Sequence, residues 1–371
     1  MLEYFSCLFD RSGVLLADAD PTVVNHLRQV CFAAYKLELD YSSEQEAAVA
    51  ASFVQTEFEL ASLQFGERAE LYALRASSIC EAVFGSLDPK DICPRHGPGS
   101  VATGERGKDK YAFKRKYAAI HQVYPYYEFF MVGHGRELLD RLAWYRSLEP
   151  HESGVAKVVL VPKDSRGPRL ISCEPLEYQW IQQGLGRKIS DHLESHRLTR
   201  GQVNFRDQGV NRAFALSGSV DQEMATLDLK DASDRVALEL VRKVFAKTPS
   251  LLRALEAART TATKLPSGEV VPLRKYAPMG SALCFPIEAF IFWSVIVAAV
   301  EQSTRLPLKR VASKVFVYGD DIIVPTSWAP LAISALEAVG LMVNRSKCCT
   351  SGHFRESCGM DAFKGTPVTP S

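Results

Sequence analysis

The sequence has no C-x-x-C pair, no Walker-type glycine loop, no internal repeat, no low-complexity segment and almost no net charge. Each gap excludes something. With 44 Lys and Arg against 43 Asp and Glu, the formal charge is +1. The chain is therefore no basic nucleic-acid coat or tail, and an RNA partner would have to be met by local clusters. Nine irregularly spaced cysteines exclude a disulfide scaffold and fit a reduced, cytosolic protein. The N-terminus carries Glu3 and no long apolar run, so it does not read as a signal peptide. The most apolar stretch, Ile287 to Val300, contains Glu288 and is too short for a bilayer; it predicts a buried helix and no membrane.

What is present is a chain of 371 residues, 47% hydrophobic, long enough for two or three structural units. The first ~85 residues predict helices. One covers His26 to Leu39, a second opens at Ser43 with a capping box, and a third runs from Arg68 to Val83 and stops at Gly85. The Pro- and Gly-rich stretch from Ile92 to Lys116 excludes a regular element. Its Lys108, Lys110, Lys114, Arg115 and Lys116 make it a basic, functional loop. Val155–Val161 and Arg169–Cys173 predict a hairpin, and Glu177–Ser195 a helix. A strand at Ala225–Leu229 leads to a helix from Arg235 to Phe245. A second hairpin spans Ala262–Leu265 and Glu269–Pro272. After the apolar helix come strands at Lys314–Tyr318 and Ile322–Val324, a helix at Leu331–Val339, and a strand at Leu341–Val343. Hairpin-joined strands among helices favour an α+β fold over a doubly wound sheet.

Asp320 and Asp321 sit on a tight turn between two short apolar strands, where adjacent carboxylates can reach a cation. Alone, the pair is ordinary turn chemistry. LDLKDASD adds Asp228 at a strand end, Asp231, read as simply solvated, and Asp234, placed to N-cap the next helix. Phosphoryl transfer needs two divalent ions about 4 Å apart on bridging acids, and Asp228, Asp320 and Asp321 would supply that cage.

The order LDLKDASD, PMGSALCFPIEAFIF, VFVYGDDIIV and then a Lys after a Gly-led strand resembles the palm motifs of RNA-dependent RNA polymerases, nearest the replicases of the RNA bacteriophages. VPKDSRGPRLISCEP is similar to that family's fingers motif and FRESCG to its last palm motif. The HGPG stretch and the N-terminal helices are similar too. The resemblance implies a right-hand polymerase, with fingers in residues 1–220 and an antiparallel palm with flanking helices in 221–371. It implies RNA-templated RNA synthesis from nucleoside triphosphates in a bacterial cytoplasm. Two Mg²⁺ ions, with Mn²⁺ able to substitute, would sit on Asp228, Asp320 and Asp321. Asp234 would sense the ribose 2′-hydroxyl, with Gly280 and Ser281 beside it. Lys163, Arg166 and Arg169 would cover the triphosphate, and Lys347 would stand near the leaving pyrophosphate. Partners would be template and product RNA and, by resemblance alone, host translation elongation factors and a ribosomal protein. That family continues past FRESCG into a thumb, so a chain stopping at Ser371 is expected to be truncated or thumbless. A reverse transcriptase, or a non-catalytic RNA-binding remnant of the fold, are the alternatives. Asp234 opposes the first, and the intact carboxylates oppose the second.

Cys348, Cys349, His353 and Cys358 lack zinc-knuckle spacing and are not read as a metal site. His192 and His196 are read as an exposed helix face. The aromatic residues Tyr111, Phe113, Tyr124, Tyr126 and Tyr127, interleaved with basic ones, fit equally a single-stranded template and internal packing.

Overall fold

The N-terminal helices follow from their caps. In the computed structural model, which describes residues 2–35, 37, 40–131 and 138–370 (backbone alone for 2–4 and 138–140), they span Leu2–Leu8, Pro21–Phe32, Ser43–Ala61 and Glu67–Phe84. The second starts earlier than its periodicity predicts. Asp20 accepts from Thr22 N at 2.7 Å, and Pro21 already has a helical φ. The helix also ends earlier, at Phe32, with residues 33–35 in a turn; Leu39, the expected end, lies outside the described residues. The capping box forms on Ser42, not Ser43, with Gln45 as its partner.

The breaker-rich stretch is not wholly irregular, since it holds a 3-10 turn at Gly107–Tyr111 and a strand at Arg115–Tyr117. Its charges partly serve the loop itself. Lys110 is buried and donates to Gly97 O (3.1 Å) and Gly99 O (2.6 Å), while Arg115 pairs with Glu105 at 2.9 Å.

Beyond it, strands Val155–Asp164 and Gly167–Cys173 form a long hairpin. Its first strand pairs in parallel with Ala262–Lys264, which pairs antiparallel with Val270–Pro272. A separate, wholly antiparallel sheet orders Met224–Leu227, Asp321–Pro325 and Phe316–Tyr318. A third small sheet joins Phe354–Ser357, Met360–Phe363 and Thr366–Pro367.

The expected helix from Arg235 to Phe245 is split into Ala232–Arg235 and Leu238–Val244. Val236 and Ala237 are extended there because the 274–276 segment takes their main chain: Tyr276 N donates to Val236 O, and Leu238 N to Arg274 O. Leu341–Val343 is likewise no strand, and only a single bridge ties Val343 to Leu229.

The apolar stretch becomes the helix Cys284–Thr304, buried at Cys284 and at every position from Pro286 to Val300. At 21 residues it is long enough to cross a bilayer, contrary to the shorter span read from the sequence, but 89% of its apolar window is buried in the fold. The main core gathers around it and includes residues on both sides of position 220. A smaller cluster packs Leu8, Ala19 and Val24 against Phe363 and Val368, where Arg28 pairs with Asp361 at 2.6 Å. The architecture is mixed helix and sheet.

Candidate active site

The antiparallel sheet, the long hairpin and helix Ser43–Ala61 meet around a cavity of about 420 Å³. Carboxylates reach it from strand ends and cations from the hairpin.

Asp228 follows the buried residues Ala225–Leu227. Its Oδ2 accepts from Asn344 Nδ2 at 2.8 Å and lies 3.8 Å from Lys347 Nζ. Asn344 N also donates to Asp228 O at 2.9 Å, so that asparagine holds the aspartate at two points. Burial pushes the Asp228 carboxyl up, Lys347 and Asn344 pull it down, and the charge of Asp320 pushes it up again. Asp320 is exposed on its turn and borders the same cavity. Gly319 before it has φ 62°, and a Cβ there would collide with the Phe285 ring. Glycine is needed at that position for both conformation and space.

Asp321 faces a different environment. It does not border the cavity; its Oδ1 accepts from Ser357 Oγ at 3.2 Å, and its main-chain carbonyl accepts from Asn211 Nδ2. Burial raises its carboxyl, as does the charge of Asp320. The two adjacent aspartates thus diverge. Beneath them Glu288, 4% exposed on the central helix, is pushed up to about 8 by burial and then by the charge of Asp320.

Asp231 is exposed at the cavity rim in a left-handed conformation, φ 51°. Asp234 is not the predicted N-cap. It lies inside the short helix Ala232–Arg235, borders the cavity, and takes Lys275 Nζ on Oδ1 at 2.8 Å. From the segment after Lys275, Met279 borders the cavity, whereas Gly280 and Ser281 do not. Gly280 has φ 122°, and a Cβ there would strike Ser172 O; Ser281 is buried, its Oγ accepting from Leu283 N at 3.3 Å.

Lys163 and Arg169 are exposed and border the cavity. Arg166 borders it too, but its guanidinium is engaged. Nε and Nη2 donate to Asp164 Oδ1 and Oδ2 at 3.0 and 2.9 Å, and Nη2 also donates to Tyr35 Oη at 2.6 Å. This bidentate grip holds the Asp164 carboxyl well below the usual carboxylate range. Tyr41 Oη accepts from Lys163 N and donates to Asp164 O, bracing the same tip. Asn344, Tyr35, Tyr41 and Lys275 went unnoticed in the sequence. Only Asn344, three positions before Lys347, had a local clue.

The groups set aside have other partners. Cys348 Sγ accepts from Asp228 N, Cys349 bonds the Thr226 main chain, and His353 Nδ1 lies 3.0 Å from Ser219 O. His192 is not simply exposed: its Nε2 lies 2.6 Å from Val83 O and its ring stacks on Phe84. Phe113, Tyr124 and Tyr126 are buried as packing, while Tyr111 and Tyr127 are each 57% exposed.

A family model described as "RNA replicase, beta-chain" matches residues 124–371. The chain belongs to that RNA replicase beta-chain family. Among its relatives, the RNA-directed RNA polymerase subunit beta of Qbeta virus (strain MX1) is 36% identical over 214 residues, 58% of this chain and 34% of that protein. The corresponding subunit of Enterobacteria phage SP is 37% identical over 58% of this chain and 35% of its own length. The RNA-directed RNA polymerase beta chain of Enterobacteria phage GA is 31% identical over 68% of this chain and 43% of its own. An in situ structure of BmCPV RNA-dependent RNA polymerase at its elongation state aligns with TM-score 0.43 and 12% identity, covering 91% of this chain and 30% of that one. The chain spans about a third of the length of the first two relatives. The family match begins at Tyr124, so the HGPG stretch and the N-terminal helices lie outside it.

Proposed function

We propose that this chain carries the nucleotidyl-transfer site of an RNA-directed RNA polymerase, working in the bacterial cytoplasm on an RNA template with nucleoside triphosphates. In this reading residues 221–371 are a right-hand palm and 1–220 the fingers. The observation that carries it is the shared cavity, where Asp228 and Asp320 face Lys163, Arg169 and Lys347.

The residues present fit Mg²⁺. Asp228 and Asp320 offer hard oxygen donors on one cavity, and the charge of Asp320 pushes the Asp228 carboxyl up. Among the described residues no group of three His, Cys, Asp or Glu side chains could hold a metal alone. This suits an ion that takes one or two carboxylates and completes its shell with water and substrate phosphates. Asp228 and Asp320 would therefore hold the ions, and Asp321, hydrogen-bonded to Ser357, would fix the turn. When bound, two such ions activate a 3′-hydroxyl and neutralise the leaving pyrophosphate.

The chain's own groups do the rest. Lys163 and Arg169 bind the triphosphate, Arg gripping two oxygens where Lys offers a point charge. Lys347 neutralises, or donates a proton to, the pyrophosphate oxygen as it departs. Asn344 keeps the Asp228 carboxylate turned into the cavity. Asp234 accepts from the ribose 2′-hydroxyl. The test is template-directed extension of an RNA primer with labelled nucleoside triphosphates, comparing the chain with Asp320→Asn. Incorporation is expected to vanish in the variant, and undiminished incorporation overturns the reading.

A further inference from the structure

Lys275 lies on the segment that leads from strand Val270–Pro272 toward Met279, and it is 0% exposed. A buried ammonium is costly unless it is paired and hydrogen-bonded. Here Nζ stands 3.1 Å from Glu57 Oε1, 2.8 Å from Asp234 Oδ1 and 3.6 Å from the Phe53 ring centroid. Glu57 and Phe53 both come from helix Ser43–Ala61 and are themselves buried. Glu57 Oε2 also accepts from the main-chain N–H groups of Arg274 and Lys275, so this acid is locked to the lysine's own segment.

Lys275 and Glu57 balance one another in charge, but among the described residues Glu57 Oε1 accepts no hydrogen bond, and an ammonium has three N–H donors to place. The lysine places one of them on a second carboxylate, and that carboxylate borders the cavity. Asp234 has a side chain 28% exposed, against 5% for Glu57. Its Oδ1 is tied inward by Lys275, which leaves Oδ2 to accept from a ligand. An ion-paired carboxylate only accepts hydrogen bonds, so its natural ligand group is a hydroxyl donor.

Resting on the reading of Asp234 given above, we propose that Lys275, set by Glu57 and Phe53, is a positioning residue for sugar selection. It holds Asp234 in the one orientation that accepts from the 2′-hydroxyl of an incoming ribonucleoside triphosphate. A site built around that hydroxyl disfavours the 2′-deoxy analogue, because the acceptor that the bound nucleotide covers is then left without a donor. The segment carrying Lys275 continues into Met279 on the cavity wall, so the sugar-reading acid and that wall are anchored to the same strand exit.

The experiment measures kcat and KM for a ribonucleoside triphosphate and its 2′-deoxy analogue in the full chain, Lys275→Met, Asp234→Asn, Lys275→Met/Asp234→Asn and Glu57→Gln/Lys275→Met. Lys275→Met is expected to lower the ribose-over-deoxyribose ratio of kcat/KM at least about tenfold, through a raised KM for the ribonucleotide. Adding it to Asp234→Asn should lower the ratio no further. The double variant at Glu57 removes both buried charges together and gives the same reading if the single variant does not fold. If Asp234→Asn loses discrimination while Lys275→Met and Glu57→Gln/Lys275→Met keep it, this inference is overturned and the Asp234 reading stands. If Asp234→Asn keeps discrimination, the reading of Asp234 fails and takes the inference with it. A lysine of merely structural use would slow both substrates alike and leave the ratio unmoved.

Discussion

The acidic side of the cavity hangs from strands that vanish into the main core, whereas the basic side stands on a hairpin with many exposed residues. Met224–Leu227 and Asp321–Pro325 are buried along most of their length within the main core, and their sheet's third strand, Phe316–Tyr318, packs on the central helix. Asp228 and Asp320 are therefore placed by the same packing that folds the chain. The hairpin shows exposed and half-buried positions instead, and its tip is held by a few polar contacts from Tyr35 and Tyr41. Placement by a core is rigid and expensive to disturb. Placement by hydrogen bonds is adjustable, each bond contributing about 1 kcal/mol. A site that must hold fixed charges on one side and admit a triphosphate on the other has use for both.

The largest effect expected from breaking this comparison is on the acidic side. Asp228→Asn keeps the shape and the Asn344 contact but removes a charge, and should lower single-turnover incorporation by about three orders of magnitude or more with little change in melting temperature. Asp321→Asn should cost distinctly less than Asp320→Asn, because Asp321 faces Ser357 and not the cavity. Equal losses in the two variants would return Asp321 to the cation-holding set.

Much of this acidic side was legible in the sequence. Short apolar runs on either side of Gly319-Asp320 read as strands, and the run from Ile287 as a buried helix, because periodicity and burial are local signals. The divergence of Asp320 and Asp321 was not legible, since it depends on Ser357 and Asn211, both distant in the chain. The split at Val236–Ala237 was invisible for the same reason: the groups that extend it come from residues 274–276. On the basic side the sequence motif sets Lys163 and Arg169 ahead of Arg166 but offers no physical reason for the order. Only the Asp164–Tyr35 contacts separate the engaged Arg166 from the other two.

The second effect concerns pH, where the root and tip of the hairpin act in opposite senses. Glu174, just past the hairpin's last residue and 1% exposed, is pushed up to about 7 by burial, with Thr260 and Gln182 pulling the other way. Its folded form keeps a proton that the unfolded chain releases near 4.5, the ordinary value. The stability it contributes is therefore complete below pH 4.5 and is lost as pH rises to about 7. Asp164 at the tip is depressed, so its contribution is present above the ordinary carboxylate value and lost as pH falls below it. Glu174→Gln should remove roughly 3 kcal/mol of the decline between those pH values, read from denaturant unfolding across the range. An unchanged pH slope in that variant would show that Glu174 is already ionised in the folded chain.

Arg169→Ala comes third and sharpens the contrast within the basic side. Losing an exposed cation at the cavity should raise KM for the nucleoside triphosphate about tenfold and leave stability alone. Arg166→Ala should instead act on the fold of the tip, freeing Asp164 and lowering stability more than it raises KM. Reversed outcomes would make Arg166 the phosphate ligand and Arg169 the brace.

The smallest effect belongs to Tyr41→Phe, which removes one hydroxyl and nothing else. That hydroxyl accepts from Lys163 N at 3.0 Å and donates to Asp164 O at 3.1 Å, so it spans two successive residues of the hairpin tip. Lys163 N is exposed enough for water to replace the lost acceptor, which limits the cost in stability to about 1 kcal/mol. The consequence should appear in the position of the Lys163 side chain, as a KM for the triphosphate raised two- to threefold on the scale of a single weakened contact, with kcat held. Asp228 and Asp320 are packed independently of this tyrosine, so the chemical step has no reason to slow. A matching fall in kcat would mean that the hairpin tip positions the reacting phosphate itself, and that the two sides of the cavity are coupled more tightly than their separate construction suggests.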